Sequence, residues 1–256
     1  QFISSNTPSN HVLEATFRTT PGSVVTGDEV TVTLKAEAFT DLAGNDNVSK
    51  SISWTYDGVR PEIIDNGITT TAVAKTYKIH DTITFKVEIS EEFTLEGEPQ
   101  LKLNNGALVN YHSTDADGKL VFIYTVETSY TDGNTIVDYD IYNLNVDKWI
   151  ANGSSIEDNA GNTNLTYDVT LGSEKSAIPS GINVDSNEPT IRIIEATPNT
   201  TQEQNGFYKI GDNLEIRVIF SKNIRYGEGN DNKPKIKLSN GDTVENPVLA
   251  GDTLTF

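Results

Sequence analysis

The chain has 256 residues, with 19 basic and 37 acidic side chains, a formal charge of −18, and neither cysteine nor methionine. That length holds about two domains. The acidity argues against phosphate-backbone recognition, which needs clustered Lys and Arg, no apolar run approaches the ~20 residues of a membrane helix, and the absence of Cys removes disulfides, thiolate metal sites and Cys nucleophiles together.

Taken in chain order, the pattern is β throughout. Residues 30–36 (VTVTLKA) alternate apolar and polar, the period of a half-buried strand. A loop at 41–47 (DLAGNDN) leads to residues 51–56, where Ile52 and Trp54 alternate and Trp54 is expected to pack inward. Residues 83–89 (ITFKVEI) alternate again, then 120–126 more loosely, then 214–220 (LEIRVIF). Asn105-Gly106 and Asn240-Gly241 predict tight hairpins, because Asn-Gly accepts positive φ at both turn centres. Asp117-Gly118 and Asp132-Gly133 mark further turns. Ile141, Leu144 and Trp149 are spaced for one short helical turn, and the 127–157 region is the expected place for length beyond a minimal sandwich.

The chain resembles itself. Residues 77–81 (YKIHD) match 208–212 (YKIGD) at an offset of 131, residues 99–109 match 234–244 at 135, and residues 41–47 match 158–164 at 117. Tyr56-Asp57 before Pro61 matches Val184-Asp185 before Pro189 at 128. These offsets predict the second part of one repeat at 1–57, a complete repeat at 58–185, and the first part of another at 186–256. Short strands with turns between them predict an all-β fold of tandem sandwiches, joined by linkers at 57–61 and 185–189. The two partial repeats are not expected to be stable alone, since half a sandwich exposes strand edges.

The run Phe39-Thr40-Asp41-Leu42-Ala43-Gly44-Asn45, followed by Trp54-Thr55-Tyr56-Asp57 and Pro61, resembles bacterial Ig-like repeats of large cell-surface and adhesin proteins. Asp158-Asn159-Ala160-Gly161-Asn162, then Asp185 and Pro189, repeat the pattern. The resemblance implies tandem immunoglobulin-like β-sandwiches and an extracellular or cell-surface location. It also implies a structural or adhesive role beside neighbouring repeats in a filament or array, with calcium at or near domain junctions.

The residues themselves allow that chemistry. Ca²⁺ takes six to eight hard oxygen ligands. Asp41, Asn45 and Asp57 form one candidate set, and Asp158, Asn162 and Asp185 its equivalent; Asp138 and Asp140 would share a side of an extended strand. The competing reading is that Asp, Asn and Gly are here only as turn formers. Residues 115–118 (DADG) open like an EF-hand loop, but Val126 stands where the bidentate Glu is needed.

Catalysis is not expected. His11, His80 and His112 have no metal-ligand spacing, and no phosphate loop or nucleophile elbow is present. Glu91-Glu92 has Lys222-Asn223 as its counterpart, so it reads as a solvated loop. Trp149 and the tyrosines Tyr130, Tyr139 and Tyr142 are candidates for contact with sugars. Asn47, Asn152, Asn164 and Asn199 lie in glycosylation sequons, no more of them than chance supplies. The leading expectation is a structural segment of an extracellular fibre, adhesin stalk or surface layer. The alternatives are a module binding a surface glycan or host protein, and an accessory region of a secreted enzyme.

Overall fold

The computed structural model describes residues 2–6, 14–17, 26–132, 135–198, 211–227 and 233–256. His11, Gly133, Asn199 and residues 208–210 lie outside the described residues. The fold is all-β and sandwich-like; among the described residues the only helix is a single 3₁₀ turn at Ser173–Lys175.

Alternation decides the central strand. In Thr82–Ile89 the side chains of Ile83, Phe85, Val87 and Ile89 are all buried. The intervening Lys86 and Glu88 face outward, where they pair with Asp115 (2.8 Å) and Lys119. This strand lies between Ile63–Thr70 and Leu120–Thr125 in a seven-stranded sheet that continues through Leu108–Thr114, Gln100–Leu103, Val146–Ile150 and Val169–Thr170. A three-stranded sheet of Phe93–Glu96, Ser155–Asp158 and Thr163–Asn164 and a parallel pair, Lys75–Lys78 with Ile182–Asp185, complete the enclosure. Trp149 sits fully buried in the resulting core, edge-on to Phe122 at 6.2 Å, and its indole N–H donates to the Leu165 carbonyl (3.2 Å).

The chain divides into two compact parts. One comprises Gln1–Glu127 with Tyr139–Asp185, the other Thr128–Asp138 with Ser186–Phe256. The first part also carries the antiparallel pair Glu29–Leu34 with Lys50–Thr55. The second contains a four-stranded sheet of Ile191–Pro198, Leu214–Phe220, Thr253–Thr255 and Val248–Ala250, and a short pair, Ile236–Lys237 with Thr243–Val244. The first part runs across residue 57 without a division, and residues 128–138 group with the later segment.

Strand registers recur at the offsets read from the sequence. Leu101 opposite Val109 is matched by Ile236 opposite Val244. Val87 opposite Leu120 is matched by Val218 opposite Leu254, and Ile63 opposite Ile89 by Ile191 opposite Phe220. Trp149 opposite Val169 is matched by Val32 opposite Ile52.

Several local expectations are corrected. No helical turn covers 141–149: Ile141 bridges to Val184, and Val146–Ile150 is a strand because it pairs on both edges. The 127–157 region contains the strands Tyr130–Asp132, Thr135–Val137 and Val146–Ile150 and most of Ser155–Asp158. The Asn105-Gly106 hairpin forms, but as a three-residue loop closed by Leu103 and Ala107. Only Gly106 takes positive φ (89°), while Asn105 donates to the Tyr124 hydroxyl and the Tyr139 carbonyl. Trp54 is 44% exposed rather than core.

His80 adopts a φ of 71°, and its counterpart Gly211 a φ of 94°. The turn therefore demands a left-handed residue, which costs a Cβ-bearing side chain roughly 1 kcal/mol. His80→Gly is expected to raise stability by up to about that amount, offset in part by the greater freedom of Gly in the unfolded chain. A denaturation midpoint measures it.

Candidate metal centre

The DxAGN loops are built identically. Asp41 Oδ1 accepts the backbone N–H groups of Ala43 (2.9 Å) and Asn45 (2.8 Å), and its Oδ2 accepts the Asn45 amide (2.8 Å). Asp158 does the same with Ala160 (2.8 Å), Asn162 (2.8 Å) and the Asn162 amide (2.9 Å). Gly44 and Gly161 supply the left-handed bend, each at φ 89°. Each aspartate thus has a turn-forming role of its own. The Asn45 side chain and the loop N–H groups hold the Asp41 carboxyl below its ordinary range. Burial pushes Asp158 up, but the Asn162 side chain and the same loop N–H groups outweigh it and leave Asp158 lowered.

What separates the two loops is their surroundings. Asp41 is exposed, whereas Asp158 is buried. Asp158 ends the strand Ser155–Asp158 and lies opposite Phe93. That register brings the preceding turn, Glu91-Glu92, beside it, with the Asn159 amide donating to Glu92 (3.2 Å). Asp57 arrives from the end of the strand Lys50–Thr55, and its carbonyl accepts the Asn162 amide (3.4 Å). One carboxylate oxygen each of Asp57, Glu91 and Asp158 lie within 4.8 Å of one another.

Among the described residues, no lysine or arginine pairs with these three groups. Glu91 Oε1 is buried without a hydrogen-bond partner. Burial, then Asp158, then Asp57 push the Glu91 carboxyl above its ordinary value. The cluster is a set of hard carboxyl oxygens from three residues. Ca²⁺ binds oxygen at about 2.3–2.6 Å, so oxygens on one shell are up to about 5 Å apart, which this geometry meets. With no His or Cys in the set, a hard divalent ion fits better than zinc or copper.

The predicted sets are therefore only partly assembled. Asp57, Asp158 and Asn162 come together, although sequence placed Asp57 with Asp41 and Asn45. Asp185 is elsewhere, opposite Lys78 in the parallel strand pair. Asp140 and Asp185 line one cleft of about 520 Å³ with Thr76, Tyr142 and Asn183. The Asp138–Asp140 pairing rested on an extended strand, and residues 138–140 form none. Asp138 instead accepts the Ser186 hydroxyl (3.2 Å) and the Asn187 amide (3.0 Å). Glu91 was missed because its counterpart is Lys222; its half-buried position corrects the solvated-loop reading. The Lys222 ammonium donates to the Asn187 carbonyl (2.7 Å), so a cation is part of the chain at that position.

The three described sequon asparagines are engaged. Asn47 donates both amide hydrogens, to the Lys35 and Val48 carbonyls, leaving none to be replaced by a sugar without loss. Asn152 and Asn164 donate to the Glu98 and Pro61 carbonyls (3.0 Å each).

The pH response of the metal-free chain has a defined sign. A carboxyl raised in the folded state binds its proton more tightly there. Stability therefore falls as pH rises from the ordinary Glu range through the raised Glu91 value. Asp41 and Asp158 act oppositely: their contribution is present above the ordinary Asp range and is lost as pH falls through their lowered values. Urea melts in chelator at stepped pH are expected to show the first decline, and Glu91→Gln to remove it.

No family model, curated protein or solved structure matches this chain.

Proposed function

We propose that the chain is a structural repeat segment of an extracellular fibre, adhesin stalk or surface layer, built of tandem Ig-like sandwiches and stiffened by calcium. The observation that carries this reading is the origin of the acidic triad: Asp57 comes from the first repeat segment, Glu91 and Asp158 from the next. An ion held by all three ties consecutive repeats together, and its binding free energy adds to the stability of the folded state. The recurring strand registers support the repeat reading. The role needs no catalysis: its output is reach, stiffness and lateral contact.

Lys222 at the Glu91 position disfavours a second such centre among the described residues, since a fixed ammonium there repels a divalent ion. The experiment is labelling of intact native cells with an antibody to this segment, followed by negative-stain imaging. Surface fibres or an ordered layer support the reading, and label confined to lysed cells or to isolated globular particles overturns it. A second reading, glycan binding, is favoured by the cleft beside Tyr142, whose exposed ring lies among Asp140, Asn183 and Asp185. A glycan array tests it.

A further inference from the structure

The segment 26–57 leaves exposed the positions that form the core elsewhere. Trp149 and Val32 are counterparts at the 117-residue offset; the first is 0% exposed and the second 43%. Ile156 (0%) corresponds to Phe39 (54%), and Leu165 (6%) to Val48 (82%). Ile52 and Trp54 lie on the same face of the hairpin as Val32 and are exposed with it.

The four-stranded sheet shows the complementary deficit. Val87 and Val218 are counterparts, and each has an apolar residue opposite it on the neighbouring strand. Ile68, opposite Val87, is fully buried, whereas Ile194, opposite Val218, is 64% exposed. Leu214 is likewise exposed where its counterpart Ile83 is buried.

Strand edges tell the same story. Val146–Ile150 lies between Val169–Thr170 and Gln100–Leu103. Its counterpart Glu29–Leu34 has only Lys50–Thr55 beside it, and Ile236–Lys237, the counterpart of residues 101–102, has only Thr243–Val244. Among the described residues, each has one unpaired edge, which is a template for strand addition.

We propose that the hairpin of one copy docks on the strands Ile191–Pro198, Leu214–Phe220 and Ile236–Lys237 of a second copy, pairing Glu29–Leu34 antiparallel to Ile236–Lys237. The occupant is a second copy because residues 191–256 correspond to residues 63–122, which share the core with Trp149. The register is inherited from Trp149 opposite Leu101, and it sets Val32 opposite Ile236. It also sets Thr31 opposite Lys237, so the like-charged Lys148–Lys102 opposition is not reproduced. The two surfaces differ, so the contact is heterologous and does not close on itself; repeated, it builds a filament. The net charge of −18 opposes association, so added salt strengthens it.

This inference rests on the repeat reading but fails separately from it. The test uses the natural absence of cysteine. The double variant Val32→Cys with Ile236→Cys is oxidised after assembly in moderate salt. Opposed residues of an antiparallel pair bring Cβ atoms within disulfide reach. The expected result is a ladder of covalent oligomers, lost when Lys237→Cys replaces Ile236→Cys, because successive residues point to opposite faces. Sedimentation of the unmodified chain provides a second readout, with mass rising with concentration and falling to monomer in Trp54→Asp. A chain monomeric at all concentrations, or ladders indifferent to the offset, overturns the docking. Those results leave the fibre reading intact, since that depends on surface labelling and imaging.

Discussion

Melted in calcium and again in excess chelator, the chain is expected to give two different midpoints, the calcium one higher. An ion that binds only the folded state stabilises it by RT ln(1 + [L]/Kd), about 1.4 kcal/mol at ten times Kd. At roughly 2–4 °C per kcal/mol for a chain of this size, the shift is about 3–6 °C. Glu91→Gln removes one of three charged ligands and should abolish most of the shift. It should also stabilise the chelated chain, because it relieves a half-buried carboxyl facing Asp158 and Asp57. Asp41→Asn tests specificity. Asp41 holds its own loop but is not part of the triad, so its loss should lower both midpoints and leave the difference between them.

The two tryptophans are expected to differ most in mutational cost. Trp149→Ala empties a fully buried site against Phe122 and strands the Leu165 carbonyl, a loss of about 3–5 kcal/mol. Against a total of about 5–15 kcal/mol for a typical domain, that can unfold the sandwich around it. Trp54→Ala removes a ring already 44% exposed and should cost the monomer about 1 kcal/mol or less, with its larger effect reserved for association. Urea titrations of both variants at low protein concentration separate these outcomes.

The strands were legible because one-sided burial imprints a two-residue period, as in residues 83–89. The internal sequence similarity was informative about pairing: Ile236 opposite Val244 could be read from Leu101 opposite Val109. Trp54 misled because alternation shows which face of a strand is apolar, not whether anything covers it. The acidic cluster was half legible for a related reason. Its members are set by tertiary register, Phe93 opposite Asp158, which carries the Glu91 turn into place. A repeat-to-repeat comparison pointed away from Glu91, since Lys222 stands in the other copy.

Equilibrium calcium titration of the intact chain, by calorimetry or dialysis, addresses the centre directly. The account predicts one ion per chain at the millimolar calcium typical of extracellular modules, binding retained in Asp41→Asn, and binding lost in Glu91→Gln. No binding at that concentration, or binding that survives Glu91→Gln and disappears in Asp41→Asn, would contradict it.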